Sequence, residues 1–390
     1  MSIENKSLNP LISNEIIAEH KMKIFVTGTR GIPDIPGGVE KHCQELYPLI
    51  AAKGHDVIVA TRTPYVTDRI DIWQGIQLQH IFAPRMKSLE AIIHTFLAVI
   101  KARFANPDIV HIHAVGPGLM VPFARMLGLK VVITNHGPDY DRQKWGGLAK
   151  KMLRLGEYVG CRFANQVIVI SREIAGIIRK RCGRESNLIY NGVQIPDRSE
   201  KKDFLAQKGI MPDNYILALA RFVPEKGLHD LLEAFKHIEG NCQLVIAGDA
   251  DHATEYSRNL KRMSADNERV ILTGFITGEE LNQVFSHARL FVMPSYHEGL
   301  PISLLEAMSY GLPVLVSDIP ANTEINLRRE RYFKCGDITE LREKLLLLLE
   351  KGLPEDEMKE YRRQIAEKYN WRKIAEQTIN VYENVLQKRY

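Results

Sequence analysis

One pattern recurs along this chain: a short apolar run, a glycine-bearing turn, then a stretch with helical spacing. Lys23-Ile-Phe-Val-Thr27 runs into Gly28-Thr-Arg-Gly31. Gly37-Gly38 then opens a helix that carries Val39, Cys43, Leu46 and Ile50 near one face and ends at Gly54. Further apolar runs occupy residues 56–61, 76–81, 109–112, 131–134 and 167–170, with helical stretches such as 89–104 and 147–163 between them. Strands that alternate with helices imply a parallel sheet covered on both faces. The pattern pauses at Asn191-Gly192 and Pro196-Asp197, which are turn chemistry, so the connection between two units falls near 192–200. It then restarts, with strands expected at 216–220, 243–247, 270–273, 290–293 and 314–317 and helices at 227–237, 304–310 and 340–351.

The expected fold class is therefore α/β: two Rossmann-like, doubly wound parallel-sheet domains facing a central cleft near the carboxyl ends of both sheets. The expected division is a polar, poorly ordered lead-in at 1–21, an N-terminal Rossmann-like domain at 22–195 and a second Rossmann-like domain at 196–370. Residues 371–390 read as an amphipathic helix packing back towards the first domain.

Composition narrows the class without naming an activity. The 390 residues are 45% hydrophobic and 25% charged, which excludes disorder, collagen and coiled coil. Residues 1–200 hold 26 Lys and Arg against 18 Asp and Glu, whereas the remainder holds 26 against 29. A basic front half suggests an anionic partner there. The five cysteines are odd in number, far apart and never in a C-x-x-C pair, which argues against a disulfide framework or zinc ribbon and fits a reducing cytoplasm. The N-terminus lacks the basic region and apolar core of a signal peptide, and no apolar run approaches the roughly 20 residues of a membrane span. A soluble cytoplasmic protein, at most peripheral on the inner face of the cell membrane, is expected. Lys144, Lys150, Lys151 and Arg154, with Trp145, Leu148, Leu153 and Tyr158, form a basic and partly apolar helical face. That face is either a solvated helix or a contact for an anionic membrane.

Tyr296-His-Glu298-Gly-Leu-Pro-Ile-Ser-Leu-Leu-Glu306 carries the strongest local signal. It follows the strand at 290–293 and enters a helix at about Pro301. This sets Glu298 in the loop at the strand's carboxyl end and Glu306 on the helix, with the backbone N–H groups of Gly299 to Ile302 as an anion site. Glu298 as a helix cap and Glu306 as a surface residue is the plain alternative. Arg221 and Lys226 lie at a second strand-to-helix turn on the same sheet edge, where two cations could neutralise a diphosphate. Gly37 and Gly38 permit close approach of backbone to ligand. No G-x-G-x-x-G is completed and no acidic residue ends the next strand, so a nicotinamide site is weakly supported. His136 ends a front-half strand and points to the same cleft. His111 and His113 alternate on one strand face, where packing or hydrogen bonding is favoured over metal ligation. Asp249-Ala-Asp251, in a glycine-flanked loop, is a poor metal motif.

Taken in order, these residues resemble the retaining glycosyltransferases of family 4, of GT-B architecture. The resemblance rests on Gly37-Gly38-Val39, Gly54-His55-Asp56-Val57, Asp108-Ile-Val-His-Ile-His113, Asn135-His136-Gly137 and Asn191-Gly192-Val193. Arg221, Lys226-Gly227, Gly248-Asp249, Thr273-Gly274-Phe275, Glu298 with Glu306, and Trp371 with Tyr382 continue it, so that it covers about residues 22–390. It implies a nucleotide-sugar donor, a UDP- or GDP-linked hexose, held mainly by the C-terminal domain. Arg221 and Lys226 would bind the diphosphate, Glu306 the ribose, and Glu298 and His136 the donor sugar. Gly299, Leu300, Pro301 and Ile302 would lie beside it. Gly38 would let the front loop close over the phosphates, and the base would lie against backbone at Gly274 and Phe275. Neither metal nor other cofactor is implied, because Arg, Lys and helix starts replace the metal. The implied acceptor is a glycan or lipid-diphosphate-linked glycan of a cell-surface polysaccharide, and no nucleic acid is expected. A sugar-nucleotide isomerase of the same architecture and a silent nucleotide-sugar-binding subunit are the alternatives. The family often has a second glycine soon after the Glu-Gly pair; Leu300-Pro301 stands there, and Pro301 removes one N–H donor.

Overall fold

A computed structural model describes residues 21–66, 70–85, 90–138, 140, 146–250 and 252–387. The lead-in at 1–20, Lys144, Trp145 and Asp251 lie outside these residues.

The first sheet is built from β1 (Lys23–Thr27), β2 (Asp56–Arg62), β3 (Ile72–Trp73), β4 (Ile76–Ile81), β5 (Ile109–His113), β6 (Val131–Asn135), β7 (Gln166–Val169) and β8 (Asn187–Leu188). Its order is β3-β4-β2-β1-β5-β6-β7-β8, parallel except where β3 pairs with β4. Four helices follow strands of this sheet and pack on one face: α2 (Glu90–Ala105), α3 (Val121–Met126), α4 (Gly147–Phe163) and α5 (Arg172–Cys182). The other face is covered by α1 (Gly38–Ala52).

After α6 (Asp203–Gln207), the second sheet comprises β9 (Tyr215–Leu219), β10 (Gln243–Ala247), β11 (Val270–Gly274), β12 (Leu290–Met293), β13 (Val314–Ser317) and β14 (Tyr332–Phe333). Its order is β11-β10-β9-β12-β13-β14, all parallel. On one face lie α7 (Leu228–Lys236), α8 (Glu255–Ala265) and, after the short α11 (Pro320–Thr323), α12 (Ile338–Lys351). On the other lie α9 (Gly278–Ser286), α10 (Ile302–Ser309) and α13 (Glu355–Lys368).

The last helix, α14 (Trp371–Gln387), leaves this unit and packs on α1. Trp371, Ile374, Ile379, Tyr382 and Val385 join Val26, Cys43, Leu46 and Tyr47 in one buried cluster. Each sheet thus reverses its strand order once, between β1 and β5 and between β9 and β12. In such sheets the crevice for a ligand opens beyond the carboxyl ends of the strands at that reversal. All five cysteines are described and none is in a disulfide.

Candidate active site

The second sheet's reversal fixes the geometry, because Arg221 follows β9 and Glu298 follows β12, the neighbouring strand. Gly227 holds φ 63°, and a Cβ there would strike the Pro294 carbonyl oxygen at 2.0 Å. Only glycine lets the β9–α7 turn lie this close to the end of β12. The Tyr296 N–H donates to the Glu225 carbonyl at 2.9 Å and joins the two loops. Lys226 Nζ consequently donates to Glu298 Oε1 at 2.6 Å, and Ser295 Oγ donates to the same oxygen at 2.7 Å. The pair is well buried, with the Glu298 side chain 10% and the Lys226 side chain 19% exposed. An ion pair in this setting is held by geometry as much as by charge. Ser295 escaped the sequence reading, although its three-residue spacing from Glu298 is the available signal.

His136 enters the same cleft from the first unit. The cleft is lined by His136, Gly137, Arg221, Lys226, Glu298 and Gly299, among others. Asn135 sets the turn, its Oδ1 accepting the Gly137 N–H at 2.8 Å while its Nδ2 donates to Glu157 at 3.1 Å. A Cβ on Gly299 would sit 2.8 Å from the His136 carbonyl oxygen, so the loops of the two units meet at that glycine.

Behind His136 lies a buried array that sequence reasoning did not assemble. His113 Nδ1 faces His136 Nε2 at 2.9 Å, and His113 Nε2 faces Tyr47 Oη at 2.5 Å. Tyr47 Oη is also 2.9 Å from His111 Nδ1, which lies 2.6 Å from Tyr382 Oη. His111 Nε2 meets Thr134 Oγ1 at 2.7 Å, and His42 Nδ1 meets Asn191 Oδ1 at 2.7 Å. Burial pushes His42 down to about 4 and His111 to about 3, and it holds His113 and His136 well below the usual imidazole range, with neighbouring imidazoles adding to the effect for the last three. All four rings are neutral at physiological pH. Ring nitrogens of His42, His113 and His136 lie within 4.8 Å of one another. Because those of His113 and His136 point at each other as a hydrogen-bonded pair, they do not converge on a common ion.

A second cavity, of about 250 Å³, opens between α1 and the α9–α10 face. Lys41, Glu45, Asn282, Ile302, Glu306 and Trp371 are among its walls. Burial raises the Glu306 carboxyl to about 7; Lys41 opposes this and Glu45 adds to it. Burial would lower the Lys41 ammonium, but its hydrogen bond to Glu45, at 2.8 Å, and the facing carboxylates raise it overall.

The singled-out residues therefore divide. Arg221, Lys226, Glu298, Gly299 and His136 share the first cleft, whereas Ile302 and Glu306 line the second cavity. Leu300 is buried, and Pro301 stands at the N-cap, one residue earlier than the first helical turn expected for it. The Ile302 N–H turns back to the Leu300 carbonyl at 3.0 Å, which leaves Gly299 and Leu300 as the amides of the expected anion site. Gly274 and Phe275 line neither cavity, and Phe275 is 65% exposed. Gly37 caps α1 and Gly38 begins it, beside the buried Glu40 that accepts the Arg30 N–H at 2.9 Å. Asp249 is occupied by Lys261 at 2.9 Å.

Comparison with known proteins gives this arrangement a family. Residues 36–195 match the family model described as Glycosyltransferase Family 4, and residues 200–369 match Glycosyl transferases group 1. An uncharacterised glycosyltransferase of Methanocaldococcus jannaschii is 26% identical over 93% of this chain and 98% of its own. The putative teichuronic acid biosynthesis glycosyltransferase TuaC of Bacillus subtilis is 25% identical over 57% of this chain and 56% of its own. The Anabaena HepE protein, crystallised with UDP-glucose, superposes with a TM-score of 0.76 at 18% identity, over 93% of this chain and 100% of that one. The two matched segments take in the whole second sheet and every strand of the first except β1, and the chain belongs to the family 4 glycosyltransferases of GT-B architecture.

Proposed function

We propose that the protein is a retaining, metal-independent hexosyltransferase that takes its sugar from a UDP- or GDP-linked donor. The acceptor we propose is a glycan or lipid-diphosphate-linked glycan of a cell-surface polysaccharide. The observation that carries this reading is the single cleft in which Arg221, Lys226, Glu298 and His136 meet at the strand reversal. Two cations there match the charge that develops on a diphosphate leaving group, the role a metal ion plays elsewhere. Glu298, with one oxygen engaged by Lys226 and Ser295, is a fixed negative charge beside an oxocarbenium-like centre. In this reading the acceptor attacks from the face the diphosphate leaves, and the leaving phosphate takes the acceptor's proton. The enzyme orients the partners and stabilises the separated charge.

The second cavity suits the nucleoside, with Glu306 accepting from the ribose hydroxyls; the base contact expected at Gly274 and Phe275 falls outside that cavity. Residues 196–370 are then the donor unit, 22–195 the acceptor-side unit, and 371–390 a return to the first unit. The bound UDP-glucose of HepE supports the donor class, and the teichuronic acid relative supports the acceptor class.

A panel of UDP- and GDP-hexoses scored by thermal shift identifies the donor, because a bound ligand stabilises the folded state by mass action. Acceptor-dependent release of UDP or GDP then tests the reaction. Donor consumed without acceptor would mean an isomerase, and binding without turnover a silent subunit. Activity that survives chelator is the expected outcome for a site that uses Arg and Lys in place of metal; loss restored by a divalent cation would overturn that part.

A further inference from the structure

The protons of the buried array can be placed one at a time. Tyr382 Oη lies 2.6 Å from His111 Nδ1 and also hydrogen-bonds Tyr47; with Tyr382 as the donor to Nδ1, the single proton of neutral His111 sits on Nε2 and goes to Thr134 Oγ1 at 2.7 Å. That leaves the Tyr47 proton for His113. Tyr47 Oη, 2.5 Å from His113 Nε2, then donates to it. His113 then carries its proton on Nδ1 and donates it to His136 Nε2 at 2.9 Å. His42 directs its own proton to Asn191 Oδ1 at 2.7 Å and so does not compete.

We propose that Tyr47 and His113 are positioning residues that fix the tautomer of His136, so that its ring presents Nδ1–H to the cleft as a neutral donor to an oxygen of the bound nucleotide sugar. This rests on the reading that the donor sugar occupies the cleft of Glu298 and Lys226. It has a sharp chemical consequence: a ring held in this form donates a hydrogen bond and is no base, which leaves the acceptor's proton to the leaving phosphate. It also gives α14 a part in the site, because Tyr382 satisfies His111 and thereby frees Tyr47 for His113.

The tautomer is read directly from long-range proton–nitrogen correlation of the ligand-free, full-length enzyme labelled with ¹⁵N-histidine. The expected pattern for His136 is a protonated Nδ1 and a bare Nε2; a protonated Nε2 in the native enzyme would overturn the proposal without any variant. Tyr47→Phe removes the donor to His113, so the His136 signals should shift to a mixture of tautomers and kcat/KM for the donor should fall roughly tenfold, the scale of one hydrogen bond. On a His136→Gln background the same change should cost no further activity, because residues that act through one group are not additive. Independent, multiplying losses would show a merely structural role and sink the idea. Titration of the ligand-free enzyme with the hexose donor chosen by thermal shift separates the two layers. His136 resonances that stay in place would overturn the donor-site reading, while the tautomer assignment stands or falls on the ligand-free spectrum.

Discussion

Glu306 makes the second cavity pH-sensitive in a calculable direction. Its carboxyl is raised from 4.5 to about 7 by burial, with Lys41 opposing and Glu45 reinforcing. If the ionised form accepts the ribose hydroxyls, KM for the donor rises as pH falls through about 7, and a pH profile of donor KM checks this. Glu45→Gln removes a like charge and should move the midpoint down, whereas Lys41→Met should move it up. The stability consequence has the opposite sense. A carboxyl with a raised folded pKa contributes stability that is full below 4.5 and lost as pH rises to about 7. Glu306→Gln should therefore melt above the native enzyme at pH 8 and level with it at pH 4. At Glu298 the expectation is catalytic: Glu298→Gln keeps the shape but loses the charge, and kcat should fall about 10²- to 10³-fold, the usual scale for one preorganised electrostatic group. Turnover unchanged within threefold, measured as UDP or GDP release, would remove Glu298 from the chemistry. That Arg221, Lys226 and Glu298 share one cleft was legible because strand ends at a sheet reversal converge, and His136 because it ends a strand of the facing sheet. Tyr47 and His42 were not, since isolated polar residues on the buried face of a helix have no local pattern to announce them, and Tyr382 stood out in the sequence without a role.

Elements differ in how plainly their sequence speaks. Strands such as β10 and β12, apolar and buried along their length, end where their apolar runs end. Helix α4 was bounded correctly from its spacing. By contrast α13, with the sequence EDEMKEYRRQIAEK, buries Tyr361 and Ile365 in a mainly charged stretch, too sparse a stripe to declare a helix. The two-residue β14 has no periodicity to read. Contacts between elements are less visible still. Gly299 read as one amide of an anion site, yet its lack of a side chain also lets the loop after β12 touch the loop after β6. Gly299→Ala should therefore reduce kcat several-fold while moving the melting temperature little, because the obstructed contact joins two units and no core. Trp371 is the reverse case. Its ring lies where a Cβ on Gly192 would meet it at 2.5 Å, and it is only 7% exposed. Trp371→Ala should cost roughly 3–5 kcal/mol in denaturant unfolding, the range for large aromatic truncations.

At the scale of the whole molecule, the chain crosses between its two units twice, and the crossings are tied together. The Val193 N–H donates to the Tyr369 carbonyl at 2.8 Å, and the rings of Tyr190 and Tyr369 pack 5.3 Å apart. The first unit is held by its own sheet and by α14, and among the described residues the outer side of α4 is left uncovered. Leu148, Lys151, Leu155, Tyr158 and Arg162 follow one another at helical spacing along that side; Leu148 is 76% exposed, Leu155 52% and Tyr158 47%. Apolar side chains interleaved with cations suit an anionic lipid surface. No described helix is long and apolar enough to cross a membrane. Each Lys or Arg near an anionic surface contributes about 1 kcal/mol, so Lys151 and Arg162 together would supply a factor of roughly 30 in affinity, and salt would screen it. The protein should therefore float with anionic vesicles at low salt, detach at about 0.5 M salt, and ignore neutral vesicles. Leu155→Glu should abolish flotation while leaving the melting temperature unchanged, because its side chain is outside the core. Binding that is equal for neutral and anionic vesicles, or untouched by salt, would overturn the membrane reading of this face.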